Sequence, residues 1–171
     1  MIKPNEVRAK ALKLEDQNIK FRTFLKNRAD YDELDAQFLR LHKELFADYD
    51  CCQCANCCRM CKILLDDNDV KRISAVLEMP EDDFIEKYLS DADNDDEKPY
   101  KITAEPCAFL ENDGRCRIQR YKPDGCREFP FTDHPDRLAS MYSVIGHAEI
   151  CPIVFEILER LKEIYGFRKR R

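Results

Sequence analysis

Six of the ten cysteines fall within residues 51–61, which read Cys-Cys-Gln-Cys-Ala-Asn-Cys-Cys-Arg-Met-Cys. Cysteines this close in sequence are poorly placed to bridge one another, because a disulfide requires a specific separation of the two Cβ atoms. The two-residue gaps from Cys51 to Cys54 and from Cys54 to Cys57 instead allow successive thiolates to face one cation, as in zinc knuckles and iron–sulfur loops. Inert core thiols are usually scattered along a chain. The spacing therefore predicts a metal-binding loop.

The composition narrows the class of protein. A chain of 171 residues suits one domain that can bury a sizeable core without metal. The formal net charge of −5 argues against a nucleic-acid partner, which would favour a basic surface. Residues 1–20 carry charges throughout and lack a signal-peptide core, and no stretch reaches the ~18 apolar residues of a membrane span. We predict a cytoplasmic protein with no membrane partner, where a reducing compartment keeps thiols available to metals.

Residues 1–50 predict an N-terminal helical arm of two helices. Apolar residues recur at helical spacing in each: Phe21, Phe24, Leu25 and Ala29 in the first, and Leu34, Phe38, Leu41 and Leu45 in the second. Asp30 followed by Glu33 is typical of a helix start. The arm either packs against the rest of the protein or binds a protein partner through its apolar stripes.

The segment after the cysteine run predicts two short helices and an acidic loop. Asp66 or Asp67 can cap the first helix, and Pro80 opens the second. Residues 91–97 are acidic but lack the glycine and the closing glutamate of an EF-hand loop. We therefore interpret them as a surface loop.

The remaining cysteines fall at predicted turns and at a helix start. The Asp-Gly pair at 113–114 predicts a β-hairpin with Cys107 on one strand and Cys116 on the other. Residues 122–125 predict a turn before Cys126, and Cys151-Pro152 opens a helix that ends at Gly166. Residues 138–145 fit either a strand or another buried segment.

These elements predict a mainly helical α+β fold, in which helices flank a small irregular metal-binding core with a β-hairpin. The predicted domains are the arm of residues 1–50 and a cysteine-cluster domain of residues 51–171 with a C-terminal helix.

The order of the cysteines resembles the CxxCxxCC cysteine-cluster family, also called YkgJ-like, over residues 51–152. The matching residues are Cys51, Cys54, Cys57 and Cys58 for the CxxCxxCC run, Cys107 with Phe109-Leu110, Cys116 with Ile118, Pro123 with Cys126-Arg127 and Phe129-Pro130, and Cys151-Pro152. Gln119 and Lys122 depart from the tyrosine and arginine that the family often has. The resemblance implies a zinc- or iron-chelating domain, and it implies metal ligands at Cys51, Cys54, Cys57, Cys58, Cys107, Cys116, Cys126 and Cys151. Cys52 and Cys61 are additional, and we predict that metal binding does not need them.

The identity of the metal stays open between zinc and iron. Eight thiolates suffice for two zinc sites of four cysteines each. We expect the adjacent Cys57 and Cys58 to point in different directions, so that they serve two metals or two corners of a polynuclear cluster. Cys51, Cys54, Cys57 and Cys61 also reproduce an iron–sulfur spacing, although Lys62 replaces the usual proline. Thiolates suit both zinc and iron–sulfur clusters.

Basic residues near the later cysteines predict electrostatic support of the thiolates: Arg115, Arg117, Arg120, Lys122 and Arg127. An anionic substrate is the alternative partner for this group. The basic end at residues 168–171 predicts a C-terminal tail. His147 is a candidate metal ligand in place of a cysteine.

The sequence contains no nucleophilic triad, phosphate-binding glycine loop or HExxH motif, so we predict no catalytic and no cofactor-binding residue. A non-catalytic metalloprotein is the first hypothesis. The alternative is an iron–sulfur redox protein or a component of a methylase-like enzyme, since some relatives in the family resemble flagellin lysine methylases.

Overall fold

The computed structural model describes residues 1–92 and 97–167. Most of the predicted acidic loop and the basic end at 168–171 lie outside these residues. The helices in chain order are α1 (Val7–Arg28), α2 (Tyr31–Phe46), α3 (Cys51–Cys54), α4 (Asn56–Met60), α5 (Asp67–Val76), α6 (Glu81–Tyr88), α7 (Asp124–Glu128), α8 (Met141–His147) and α9 (Pro152–Ile164). The strands are β1 (Leu64–Leu65), β2 (Leu89–Asp91) and β3 (Tyr100–Ile102).

The chain divides into two compact units. Unit 1 comprises Met1–Asp50 together with the described residues from Pro130 onward, and unit 2 comprises Cys51–Phe129. Unit 1 therefore contains α1, α2, α8 and α9, while unit 2 contains the other helices and all three strands. The predicted division into an N-terminal arm of residues 1–50 and a cysteine-cluster domain of residues 51–171 stays a prediction.

Unit 1 is a helical unit in which α9 packs against α1, α2 and α8. The predicted stripe of α2 is buried in it, since Leu34, Phe38 and Leu41 are at most 1% exposed. Asp30 caps α2 by accepting a hydrogen bond from the Glu33 N–H at 2.9 Å, as the sequence predicts. Because this stripe is buried inside unit 1, it offers no exposed surface for the protein partner considered from the sequence.

The C-terminal helix begins and ends where the sequence predicts. Pro152 occupies the first turn of α9, where its missing N–H costs nothing. Gly166 has a φ of +62°, and the Phe167 N–H returns to the Lys162 carbonyl at 2.8 Å, which closes the helix end. The open choice for residues 138–145 resolves as a helix, because α8 covers most of that segment.

Unit 2 packs its helices on a small antiparallel sheet of order β1-β3-β2. Leu64 pairs with Lys101, and Leu89 pairs with Ile102. The sheet, α5 and α6 enclose an apolar core composed of Leu65, Val70, Ile73, Phe84, Leu89, Ile102, Phe109 and Ile118. The fold class is thus the predicted mainly helical α+β.

Of two local predictions in unit 2, one is confirmed in part and the other is wrong. The predicted hairpin around Gly114 is present as a tight turn with one isolated antiparallel bridge, between Leu110 and Cys116. Residues 124–125 open α7 after Pro123 instead of forming a free turn, since Pro123 supplies the fixed φ that precedes a helix. In the described part of the chain, no helix combines the length and apolar character needed to cross a bilayer.

Candidate metal centre

All ten cysteines lie within the described residues and are present as thiols, and five of them line one cavity of unit 2. These five are Cys57, Cys58, Cys107, Cys116 and Cys126. The remaining lining residues are Ile63, Ile102, Phe109, Ile118, Lys122, Pro123 and Phe129. The cavity holds about 480 Å³ of empty space, part of it open to solvent. Thiols from three separate segments therefore meet in one largely apolar cavity.

The short helix α4 presents the first pair of thiols. Ala55 has a φ of +48°, and this left-handed residue turns the chain between α3 and α4. The Arg59 guanidinium donates to the Cys54 carbonyl at 2.7 Å, and the Cys61 N–H closes α4 on the Cys57 carbonyl at 2.9 Å. Backbone carbonyls at the ends of the two short helices thus have partners, which fixes the direction of α4.

The segment 107–118 presents the second pair. Its Cys107 N–H donates to the Cys58 carbonyl at 2.8 Å, so it contacts α4 directly. Phe109 and Ile118 are 1% and 2% exposed and anchor the segment in the core of unit 2. Cys107 and Cys116 pack against that core from its edge, which leaves their thiols on the cavity wall.

The fifth thiol, Cys126, lies on α7 and is supported from α5. Arg72 on α5 donates to the Lys122 carbonyl at 3.2 Å and lies 3.8 Å from the Asp124 carboxylate. The same guanidinium forms an ion pair with Asp69, whose side chain is 5% exposed. Arg72 therefore links a buried carboxylate to the segment that leads into Cys126.

Four of the cavity thiols have shifted pKa values. A hydrogen bond with Cys57 lowers the pKa of Cys58 to about 6. Burial raises the pKa of Cys126 to about 12 and also raises the pKa of Cys107 and of Cys116. The cavity thus combines one acidic thiol with three thiols that favour the neutral form.

Lys122 is the basic residue, among the described ones, that lines the cavity. Its charge lowers the pKa of Cys58, Cys116 and Cys126, although burial outweighs it at the last two. The predicted electrostatic support therefore exists at Lys122 and also at Arg117, whose charge lowers the pKa of Cys116. By contrast, Arg115 and Arg127 form ion pairs with the nearby Asp113 and Asp124.

The cavity contains five of the eight predicted ligands. Cys51 is exposed and Cys54 is buried in α3, and neither is among the residues that line the cavity. Cys52 and Cys61 also lie outside the lining, and burial raises the pKa of Cys61 to about 11. Cys57 and Cys58 both line this cavity, and the expectation that they serve two metals or two corners of one cluster stays a prediction.

The last predicted ligand and the candidate substitute belong to unit 1. Cys151 precedes α9 and is 8% exposed, and its N–H donates to the His147 carbonyl at 2.8 Å. Burial lowers the pKa of His147, so its imidazole favours the neutral form.

The donor set of the cavity fits a thiophilic metal. Its polar lining consists of thiols and one ammonium group, without carboxylates or imidazoles, and thiolates select ions such as zinc and iron in clusters. Within residues 1–92 and 97–167, no three Cys, His, Asp or Glu side chains are arranged to hold an ion. The cavity thus gathers suitable donors without placing three of them in ligating positions.

Sequence reasoning missed Arg72. Its spacing of three residues from Asp69 on one helix is a signal for an ion pair. Its contact with the Lys122 carbonyl, fifty residues away, has no such signal in the sequence.

Comparison with known proteins gives one match. The family model of CxxCxxCC, described as "Putative zinc- or iron-chelating domain", matches residues 50–152. No curated protein and no solved structure matches the chain. The matched range contains all five cavity thiols and more than half of the chain, and its description agrees with the donor chemistry of the cavity. The chain belongs to the CxxCxxCC family.

Proposed function

We propose that this protein binds zinc or iron in the cavity of unit 2, through the thiolates of Cys57, Cys58, Cys107, Cys116 and Cys126. The observation that carries the proposal is the meeting of five thiols from α4, residues 107–118 and α7 at one cavity. Soft sulfur donors in an apolar surrounding suit both metals. Metal binding itself is supported by the description of the family.

The number of thiols favours one shared centre. A closed zinc site uses four cysteines, and the cavity provides five. A single polynuclear centre would be held by all five of these thiolates. This arrangement is a better fit to the cavity than two separate sites of four cysteines each.

Metal binding to this cavity is coupled to deprotonation of its thiols, because the thiolate is the form that ligates a metal. Three of the thiols have raised pKa values, so binding releases protons. Zinc would supply a redox-inert link between the three segments, and iron would supply an electron-transfer centre.

The wider ligand set is also part of the proposal. Cys51, Cys54 and Cys151 remain proposed metal ligands, while Cys52 and Cys61 are dispensable. The proposed compartment is the cytoplasm, where a reducing environment keeps thiols available to metals. The proposed role is non-catalytic, and iron–sulfur redox chemistry is the alternative.

Metal analysis of the protein purified without oxygen tests the proposal. We expect bound zinc or iron, with a colourless protein for zinc and a brown one with sulfide-to-iron absorption for a cluster. Serine substitution of Cys107, Cys116 or Cys126 should lower the metal content by half or more. Cys61→Ser is the matched control, because this thiol is also half-buried but lies outside the cavity.

The serine variants also separate the two ligand sets. Loss of metal in Cys51→Ser, Cys54→Ser or Cys151→Ser would support the full set of eight proposed ligands. Full metal content in these three variants would restrict the centre to the cavity. Full metal content in Cys107→Ser, Cys116→Ser and Cys126→Ser would refute the cavity as the metal centre.

A further inference from the structure

Gly114 brings the turn of residues 111–115 against the backbone of the cysteine run. Its φ of +83° lies in the left-handed region that favours glycine. A Cβ atom at this position would overlap the carbonyl oxygen of Cys52 and lie 3.0 Å from its carbonyl carbon. Because the obstacle is backbone, no rotation of a side chain can relieve it.

The turn itself is held by its own hydrogen bonds. The Gly114 N–H donates to the Glu111 carbonyl at 3.0 Å, and the Glu111 N–H donates to the Arg115 carbonyl at 2.8 Å. The Arg115 N–H donates to the Asp113 carboxylate at 3.0 Å. With these bonds in place, the turn has little freedom to move away from an added Cβ atom.

A second contact joins the same two segments at their other end. The Cys107 N–H donates to the Cys58 carbonyl at 2.8 Å. Cys52, the earlier residue of the cysteine run, contacts Gly114, whereas the later residue Cys58 contacts Cys107, which precedes Gly114 in the chain. The two segments therefore run in opposite directions and are held together near both ends.

We propose that Gly114 is a positioning residue for the metal centre. By allowing backbone contact with Cys52, it sets the register in which Cys57 and Cys58 face Cys107 before any metal binds. The inference rests on the proposed function for its effect on metal affinity, whereas the register itself is a property of the metal-free protein. Residues that orient metal ligands are commonly worth 10–100-fold in metal affinity.

Three variants separate the contact from backbone strain. Gly114→Ala adds a Cβ atom and also strains the left-handed backbone. Gly114→Asn adds the same Cβ atom, but asparagine tolerates this backbone region. Gly166→Ala is the matched control, because Gly166 also has a positive φ, of +62°, while no atom lies within 4 Å of the added Cβ.

Two measurements on the full-length variants give the readout. Hydrogen exchange of the reduced, metal-free proteins reports whether the Cys107 amide keeps its bond to Cys58. Competition for Zn²⁺ with a chromogenic chelator reports affinity. We expect both Gly114 variants to lose ~10-fold or more in Cys107 protection and in Zn²⁺ affinity, while α5 and α6 keep their protection. Gly166→Ala should retain wild-type values for both.

Several outcomes would overturn the inference. Wild-type Cys107 protection in Gly114→Ala would show that the contact does not set the register. Recovery of wild-type behaviour in Gly114→Asn would assign the effect to backbone strain alone. Loss of protection throughout α5 and α6 in both variants would show that Gly114 stabilises unit 2 as a whole and does not specifically position the thiols. A wild-type protein that binds neither Zn²⁺ nor iron would instead refute the proposed function, and the exchange data would still decide the role of Gly114.

Discussion

Substitution of Arg72 by methionine should destabilise unit 2 by ~2 kcal/mol. The largest loss is the ion pair with Asp69, because a hydrogen bond between charged groups contributes ~1.5–3 kcal/mol. The lower end applies here, since the Arg72 side chain is 34% exposed and water screens it. The bond to the Lys122 carbonyl adds ~1 kcal/mol, and the pair with the exposed Asp124 adds under ~0.5 kcal/mol.

Two effects keep the expected cost moderate. The Nε atom of Arg72 is buried without a hydrogen-bond partner, so its removal recovers ~1 kcal/mol. The remaining Asp69 is not forced to stay charged, because burial already raises its pKa and loss of Arg72 raises it further. A buried carboxylate that had to remain ionised would instead cost ~3–5 kcal/mol.

Native-state hydrogen exchange can measure this change in unit 2 alone. The amides of Val70 and Leu77, whose hydrogen bonds close the two ends of α5, should exchange about 30-fold faster in Arg72→Met, since every ~1.4 kcal/mol is tenfold. Asp69→Asn combined with Arg72→Met should recover ~1 kcal/mol, because the uncompensated carboxylate is then absent. The assigned role of the ion pair would be refuted if Asp69→Asn and Arg72→Met changed the stability of unit 2 in a strictly additive way. A loss of stability below ~0.5 kcal/mol in Arg72→Met would also refute it.

Further predictions concern the helices of unit 1. Phe38→Ala should lower the free energy of unfolding by ~3–5 kcal/mol, because Phe38 is fully buried; urea unfolding followed by circular dichroism measures this. The control Tyr31→Ala should change it by no more than ~0.5 kcal/mol, because Tyr31 is 57% exposed. Equal losses in the two variants would contradict the packing of α2. Asp30→Ala should cost ~1 kcal/mol in the same assay, since it removes the α2 cap, and an unchanged midpoint would rule this out. Burial lowers the pKa of His42 and His147, so below pH 6.5 the unfolded chain binds more protons than the folded one and stability should fall as pH falls. Glutamine at both positions should make stability less dependent on pH in this range. An unchanged dependence would exclude the two histidines as its source.

The long helices were predictable because they carry their own periodic signal. The stripe of α2, the Asp30 cap and the Pro152 start of α9 all follow from residues within a few positions of one another. The sheet has no comparable signal, since β1 contains two residues and β2 and β3 contain three each. Alternation cannot be recognised over so few positions, and the pairing of Leu64 with Lys101 depends on the folded core.

The candidate metal centre was predictable in its chemistry but not in its arrangement. Spacing identified the thiols, and the family resemblance proposed eight of them as ligands. Which five line the cavity depends on tertiary packing, as the contact of Cys107 with Cys58 shows. Cys57 and Cys58 lie on the short helix α4 and line one cavity, and whether they serve one metal or two stays a prediction.

The division of the chain has a thermodynamic consequence for unit 1. The chain leaves this unit after Asp50 and returns to it at Pro130, so unit 2 is an insertion into the helical unit. If those roughly eighty residues were unstructured, closing the loop would cost unit 1 about 4 kcal/mol in chain entropy plus a constant. A ligand that stabilises the folded insertion against unfolding keeps that cost from arising. The melting temperature of α1, α2 and α9 should therefore rise when metal enters unit 2, even for a metal held by the cavity thiols alone.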